Sequence, residues 1–377
     1  MREFEPRSAV GDRLPLFHPH VPASAREAAF ETLSGRWIGQ GPQVDKFEAA
    51  FSQKFAGGAS SIAVSAATHA LHLAYILAGV SEGDEVIAPV FSCAATSFPV
   101  LYQRGKVRFA DIQPGTLNVD PKHVRSLITP RTKAIVCVHY AGLPCDMDEL
   151  VAIAKDARVA LVSDAAQALG STYRDKPIGE YADFCAYSFQ AIKHITTGDG
   201  GMLVLRNRES ADVAKRLRWF GIDRAAKLGG VWENEIREVG FKYHMNDIAA
   251  SMGLAALEGF DAMLAWRQKL FARYCSNLQS LSGVEIVGAS RADRTHAAWA
   301  FTILVDRRAD LERRLLEKNI ESGQVHFRND RYAVFASGKE VLPAMDAVQD
   351  KYLLLPLHMK MSTEDVDRVC GVLKEGW

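Results

Sequence analysis

Between residues 62 and 205, short apolar runs rich in β-branched residues alternate with longer stretches whose apolar positions recur at helical spacing. The runs fall at 62–64, 85–91, 106–112, 133–140, 160–165, 184–189 and 201–205, and they predict seven strands. The stretches between them, such as 69–80 and 146–157, read as amphipathic helices closed by Gly, Asp or Arg. Strand and helix in turn is the pattern of βαβ units, so the expectation is an α/β domain with a mostly parallel seven-stranded sheet flanked by helices. Beyond residue 206 the strand signal fades, and 245–278 reads as one or two long helices. A second, smaller α+β domain is expected to begin inside that stretch, with strands at 284–288 and 299–305 and a closing helix over 363–374. The expected division is therefore a large domain over 1–255 and a small C-terminal domain over 256–377. No internal repeat or low-complexity tract alters this picture.

A chain of 377 residues, 48% of them hydrophobic, has enough apolar surface for both domains to bury a core. Lys and Arg total 45, and so do Asp and Glu, so no global field draws nucleic acid or an anionic membrane; neither partner is expected. The six cysteines are scattered, without a CxxC pair or histidines at zinc spacing, which suits a reducing compartment and predicts no metal site. The N-terminal stretch mixes charges of both signs and lacks an apolar run, as neither a signal peptide nor an anchor does. A soluble, cytoplasmic protein is expected.

The segment SFQAIKHITTGDGG, residues 188–201, lies between two apolar strands. Burial there would lower the pKa of Lys193 toward the neutral amine that attacks a carbonyl. Ser188, Thr196 and Thr197 add hydroxyls, and Gly198, Gly200 and Gly201 let backbone approach a ligand closely, which together suit a phosphorylated aldehyde. A lone lysine would more simply be a surface residue in a Gly-rich loop; its neighbours argue otherwise. Asp164 ends the run ALVSD at the carboxyl edge of the sheet, where open α/β sheets place ligands, although an aspartate there also serves as a helix N-cap.

In these motifs the chain resembles the DegT-type sugar aminotransferases, a branch of the fold-type I pyridoxal-phosphate enzymes. Ser188, Phe189, Lys193, Thr196, Gly198, Gly200 and Gly201 match the family's lysine motif, and the likeness runs from about Leu14 to the last helix. The resemblance implies pyridoxal 5'-phosphate as cofactor, with Lys193 forming an internal aldimine and then shuttling the proton. It implies Asp164 beside the pyridine nitrogen, Gln167 near the ring hydroxyl and Ser188 as a further cofactor residue. Ala67 and Thr68 fall where the family carries Gly-Thr before a helix facing the phosphate; the alanine replaces a glycine, and a positive φ there would be strained. His69 beside them reads as structural. Cys93 falls where the family commonly stacks an aromatic residue on the ring, a gap that Phe91 could fill instead. Lys242 replaces the asparagine that reaches the neighbouring subunit's phosphate, which implies a homodimer with shared active sites. On the substrate side the resemblance points to Trp37, Arg218, Arg224, His326 and Arg328, the arginines as clamps for a diphosphate or for the amino donor's carboxylate, or equally as surface ion pairs.

The implied activity moves an amino group from an amino acid, glutamate foremost, to a keto carbon of a nucleotide-linked sugar, a 4-keto-6-deoxyhexose foremost. A keto-cyclitol acceptor, a sugar dehydratase and a cofactor-bound regulator without turnover stay open as alternatives. Dehydratase relatives carry histidine in the lysine's place, so Lys193 argues against that reading, with the adjacent His194 as a caution.

Overall fold

The computed structural model describes residues 13–377 except 231, 232, 234, 290 and 336–339, and of residues 225 and 227 the backbone alone. Residues 1–12, where the sequence suggests neither signal peptide nor anchor, lie outside the described residues.

All seven expected strands form and join in one sheet: β1 (Ser60–Val64), β2 (Glu85–Pro89), β3 (Lys106–Ala110), β4 (Thr132–Val138), β5 (Ala160–Asp164), β6 (Phe184–Ser188) and β7 (Gly201–Leu205). Their order is β1-β7-β6-β5-β4-β2-β3. The β6–β5, β5–β4, β4–β2 and β2–β3 pairs are parallel, while β7 runs antiparallel to both β6 and β1. The reversal follows from the connection. Parallel neighbours need a crossover that carries the chain back along the sheet, whereas residues 189–200 between β6 and β7 stay at one edge, the Phe189 amide donating to the Gly200 carbonyl at 2.9 Å, so the chain turns straight back. That loop carries Lys193.

Among the described residues nine helices are ten or more residues long: α1 (Ala23–Ser34), α2 (Pro42–Phe55), α3 (Ala67–Leu77), α4 (Met147–Ala157), α5 (Arg208–Leu217), α6 (Asp247–Glu258), α7 (Phe260–Leu278), α8 (Arg308–Glu317) and α9 (Thr363–Glu375). Successive strand residues point to opposite faces, so in β1 Ile62 and Val64 enter the core under α3 and α5, while Ala63 faces the core of α2 and α4. In that second core α2 lays Phe47, Phe51 and Phe55 in a row. Phe51 meets Tyr187 at 5.1 Å and Phe189 at 5.8 Å between ring centroids, which fixes the end of β6 just before the lysine loop.

The long helical stretch near residue 260 is two helices, α6 and α7, bent by 67° at Gly259. α6 packs on α1 and α2, and α7 on α9. α7, α8 and α9 enclose a third core with an antiparallel sheet of β8 (Val284–Ile286), β9 (Phe301–Val305) and β10 (Tyr352–Leu355), ordered β8-β9-β10. β10 was not expected: its run YLLL lacks the β-branched signature of a strand, and burial on both faces accounts for the leucines. The strand expected from residue 299 begins at Phe301, because Ala298 adopts a left-handed φ of 51° and the chain before β9 is irregular. Among the described residues no single helix is long and apolar enough to cross a membrane.

Candidate active site

β5 and β6 are parallel, with Asp164 at the end of β5 paired to Ala186 and β6 running on to Ser188, and the N-terminus of α3 faces the same edge. A cavity of about 270 Å³ opens there. Eight of the residues singled out from sequence line it: Ala67, Thr68, Cys93, Asp164, Gln167, Ser188, Lys193 and His326.

Asp164, the last residue of β5, is 5% exposed. Its Oδ2 accepts a hydrogen bond from the Thr96 hydroxyl at 2.7 Å and its Oδ1 one from the Ala166 amide at 3.1 Å. Burial pushes its pKa up, and Thr96, the Ala166 amide and the Lys193 charge oppose that push. The N-cap reading of Asp164 does not apply, since a turn and not a helix follows. Thr96 was not anticipated; it occupies a turn of the segment that carries Cys93 and meets Asp164 only in the fold.

Lys193 sits in a one-turn bend, its amide donating to the Gln190 carbonyl at 2.9 Å. Burial draws its amine down to about 8, with Asp164 and then Cys93 pulling the other way. Its Nζ lies 4.1 Å from the centre of the Trp299 ring. His194 points elsewhere: its Nε2 donates to the Ala297 carbonyl at 2.7 Å, and it borders a separate groove beside α6 and α7.

Gln167 reaches across the cavity floor. Its Oε1 accepts from the Ala141 amide at 2.7 Å, so its Nε2 is the donor to His326 Nε2 at 2.8 Å. That leaves the imidazole proton on Nδ1. Burial, then the neighbouring Lys193, lowers the His326 pKa to about 3, and the ring stays neutral. His326 reaches the cavity because Phe327–Arg328 pairs with Phe91–Ser92, where the chain has left β2.

Ala67 opens α3 with ordinary helical geometry, so the strain that replacing a glycine would cause does not arise. The first amides of the helix have no intrahelical acceptor and are free for an anion. β7 must start with glycine for this to work: a Cβ on Gly201 would lie 2.6 Å from the Ala67 nitrogen. His69 faces away, stacked on Tyr243 at 3.9 Å. Cys93 is exposed at the rim, whereas Phe91 is buried against Tyr140 and Tyr352 and does not take the place over the ring.

The remaining substrate-side residues lie outside this cavity. Arg218 is buried, pairs with Glu48 and donates to the Ala63 carbonyl at 2.8 Å. Arg224 donates to the Gln40 carbonyl and stands 5.3 Å from the Trp219 ring. Arg328 is held by Asp330 at 2.7 Å and by Asp346. Trp37 is 43% exposed on the loop after α1, and Lys242 is exposed beside Trp219. Elsewhere, Cys137, His139 and Cys145 bring their donor atoms within 4.8 Å of one another. Both imidazole nitrogens there are already engaged, Nδ1 by the Cys145 amide at 3.0 Å and Nε2 by Ser163 Oγ at 2.5 Å, so the group is a closed hydrogen-bond network.

A pyridoxal phosphate fits these residues: a desolvated amine, a buried carboxylate supplied with donors, and a helix start with the Ser188 hydroxyl beside it. A sequence model of the DegT/DnrJ/EryC1/StrS aminotransferase family matches residues 21–374. The chain belongs to this family. It is similar to the sugar aminotransferase CalS13 of Micromonospora echinospora, at 32% identity and a TM-score of 0.91 over 97% of this chain and 100% of the other. The spore coat polysaccharide biosynthesis protein SpsC of Bacillus subtilis is 33% identical over 377 residues, 96% of each chain. The PLP form of Spr1654 of Streptococcus pneumoniae superposes with a TM-score of 0.90 at 26% identity, over 96% of this chain and 98% of the other. The protein is a PLP-dependent sugar aminotransferase.

Proposed function

We propose that this aminotransferase moves the amino group of glutamate onto the keto carbon of a nucleotide-linked 4-keto-6-deoxyhexose, with Lys193 as its catalytic residue. The observation that carries the reading is the pairing of the lowered Lys193 amine and the buried Asp164 carboxylate on one cavity. When bound, pyridoxal phosphate supplies an aldehyde for the amine and an electron sink for the carbon that loses its proton. The protein's part is to hold, orient and move protons. The Ala67 and Thr68 amides and the Ser188 hydroxyl would hold the phosphate, Asp164 the pyridine nitrogen and Gln167 the ring hydroxyl, with Cys93 on the open face. Lys193, once free, would take the proton from the donor carbon and deliver it to the carbon on the other side of the migrating nitrogen, and a pKa lowered to about 8 suits both tasks.

His326 lines the cavity with its proton fixed on Nδ1 by the Gln167 contact, a neutral donor suited to a substrate oxygen. Trp37, Lys242, Arg218, Arg224 and Arg328 enter this reading through a homodimer, in which one subunit's Lys242 reaches its neighbour's phosphate and the Trp37 loop borders the neighbour's sugar. Arg218 and Arg224 act by holding the Gln40 end of that loop rather than by touching substrate. Six free cysteines accord with a cytoplasmic setting.

The test is direct. The purified protein is expected to absorb as a lysine-bound coenzyme, to be fixed by borohydride with the label on Lys193, and to lose at least about 10³-fold in turnover as Lys193→Ala. Incubation with glutamate and a panel of nucleotide-linked keto-sugars and keto-cyclitols should yield amino product with the former; no transfer to any nucleotide-linked sugar would defeat the substrate assignment.

A further inference from the structure

We infer that Trp299 is a positioning residue for Lys193, receiving its amine on the indole face whenever that amine is not bonded to the cofactor. The inference rests on the reading of Lys193 as the cofactor-bearing lysine. The Nζ lies 4.1 Å from the ring centre, well inside the range of about 6 Å over which a cation is attracted to an indole. The ring is held from several sides. Its Nε1 donates to the carbonyl of Ile192, the residue before the lysine, at 3.1 Å. It stacks on Phe17 at 5.3 Å and on His326 at 6.0 Å. Its backbone amide donates to the Ala141 carbonyl at 2.9 Å, and its own carbonyl accepts from Arg267 at 2.8 Å. Arg267 is a buried guanidinium spent on three carbonyls, those of Ala298, Trp299 and Leu357, around the left-handed Ala298. Trp299 is thus fully buried and locked, with one face offered to the amine.

Such a partner suits the chemistry. A carboxylate in direct contact would hold the proton firmly and raise the amine's pKa, and a hydroxyl would compete for its lone pair. An aromatic face attracts the ammonium weakly and leaves the lone pair of the neutral amine unoccupied, so it orients the group in either protonation state. Among the described residues the charged and titratable groups around Lys193 are Asp164 and Cys93, which favour the ammonium, and His326 and the adjacent His194, both kept neutral by burial.

The experiment uses cofactor-free full-length protein, trace-labelled with acetic anhydride across a pH series and mapped by peptide mass, with exposed Lys360 as internal reference. Wild type, Trp299→Phe and Trp299→Leu are compared, with thermal melts to establish folding. Attraction to a ring falls from indole to phenyl and vanishes with leucine, so the Lys193 pKa should drop in that order, by about 0.5–1.5 units in all, while Lys360 does not move. Equal Lys193 values across the folded variants would overturn the inference; if the leucine variant does not fold, an unchanged value in Trp299→Phe alone does so. The measurement involves no cofactor, so it stands apart from the test of turnover in Lys193→Ala.

Discussion

At the scale of single residues, the site is built on a lysine that destabilises the fold. Burial lowers the Lys193 amine from 10.5 to about 8. Between those values the unfolded chain binds a proton that the folded chain lacks, so this residue's contribution to stability rises with pH across the window; below 8 both bind it, and the full cost of a desolvated ammonium remains. Cofactor-free Lys193→Met should therefore be more stable than wild type by about 1–3 kcal/mol at pH 7, with the gap closing toward pH 10. Denaturant unfolding at the two pH values checks this, and a gap independent of pH would show that the amine is not desolvated. Thr96 offers the complementary case. Thr96→Val removes a donor from a buried carboxylate, and cofactor affinity should fall about tenfold by equilibrium dialysis, with the melting point little changed. The places of Lys193 and Asp164 were legible in sequence because each lies in its own short segment at the end of an apolar strand, and the sheet brings the two segments together. Thr96 and Trp299 were not, since neither acts through its neighbours in the chain. Sequence left the arginines open between ligand clamps and ion pairs, because the carboxylate that engages Arg218 is Glu48, 170 residues away in the chain.

At the scale of elements, the positions of β6, β7 and α3 decide whether the cavity exists. The aromatic row of α2 holds β6 from one side, and Phe51→Ala should cost about 3–5 kcal/mol through the void left among Phe47, Phe55, Tyr187 and Phe189. α2 itself is capped from a distance: buried Asp247, at the start of α6, accepts from the amides of Gly41 at 2.7 Å and of Gln43 and Val44 at 3.1 Å. On the other side, β7 approaches the first turn of α3 so closely that Gly201→Ala must push the Ala67 amide aside. That variant should lose cofactor affinity about tenfold or more, read as a rise in the dissociation constant in dialysis against added cofactor. Strand and helix identities were readable from periodicity because β1–β7 are short apolar runs and the helices between and after them repeat at a different spacing. The antiparallel direction of β7 was not, for it depends on a connection without a helix. β10 escaped because leucines buried on both faces carry no alternation.

At the scale of the whole molecule, one subunit leaves two observations without a purpose. Lys242 is exposed and does not line its own chain's cavity, and α1 with its following loop exposes Phe30, Leu33, Trp37 and Ile38. Apolar surface of that kind on one element is what a subunit contact covers. If pairing places Lys242 at the neighbour's phosphate, then Lys193→Ala and Lys242→Ala subunits are each deficient for different reasons, and a mixed dimer regains one intact site from the lysine of one chain and the ammonium of the other. Random reassortment at equal concentrations makes half of the dimers mixed, each with one good site in two, so activity should recover to about a quarter of wild type. Each parent alone should stay well below that level. Were Lys242 to serve its own chain or none, the mixture would give only the mean of its parents, because no combination of subunits would then contain a site better than those already present.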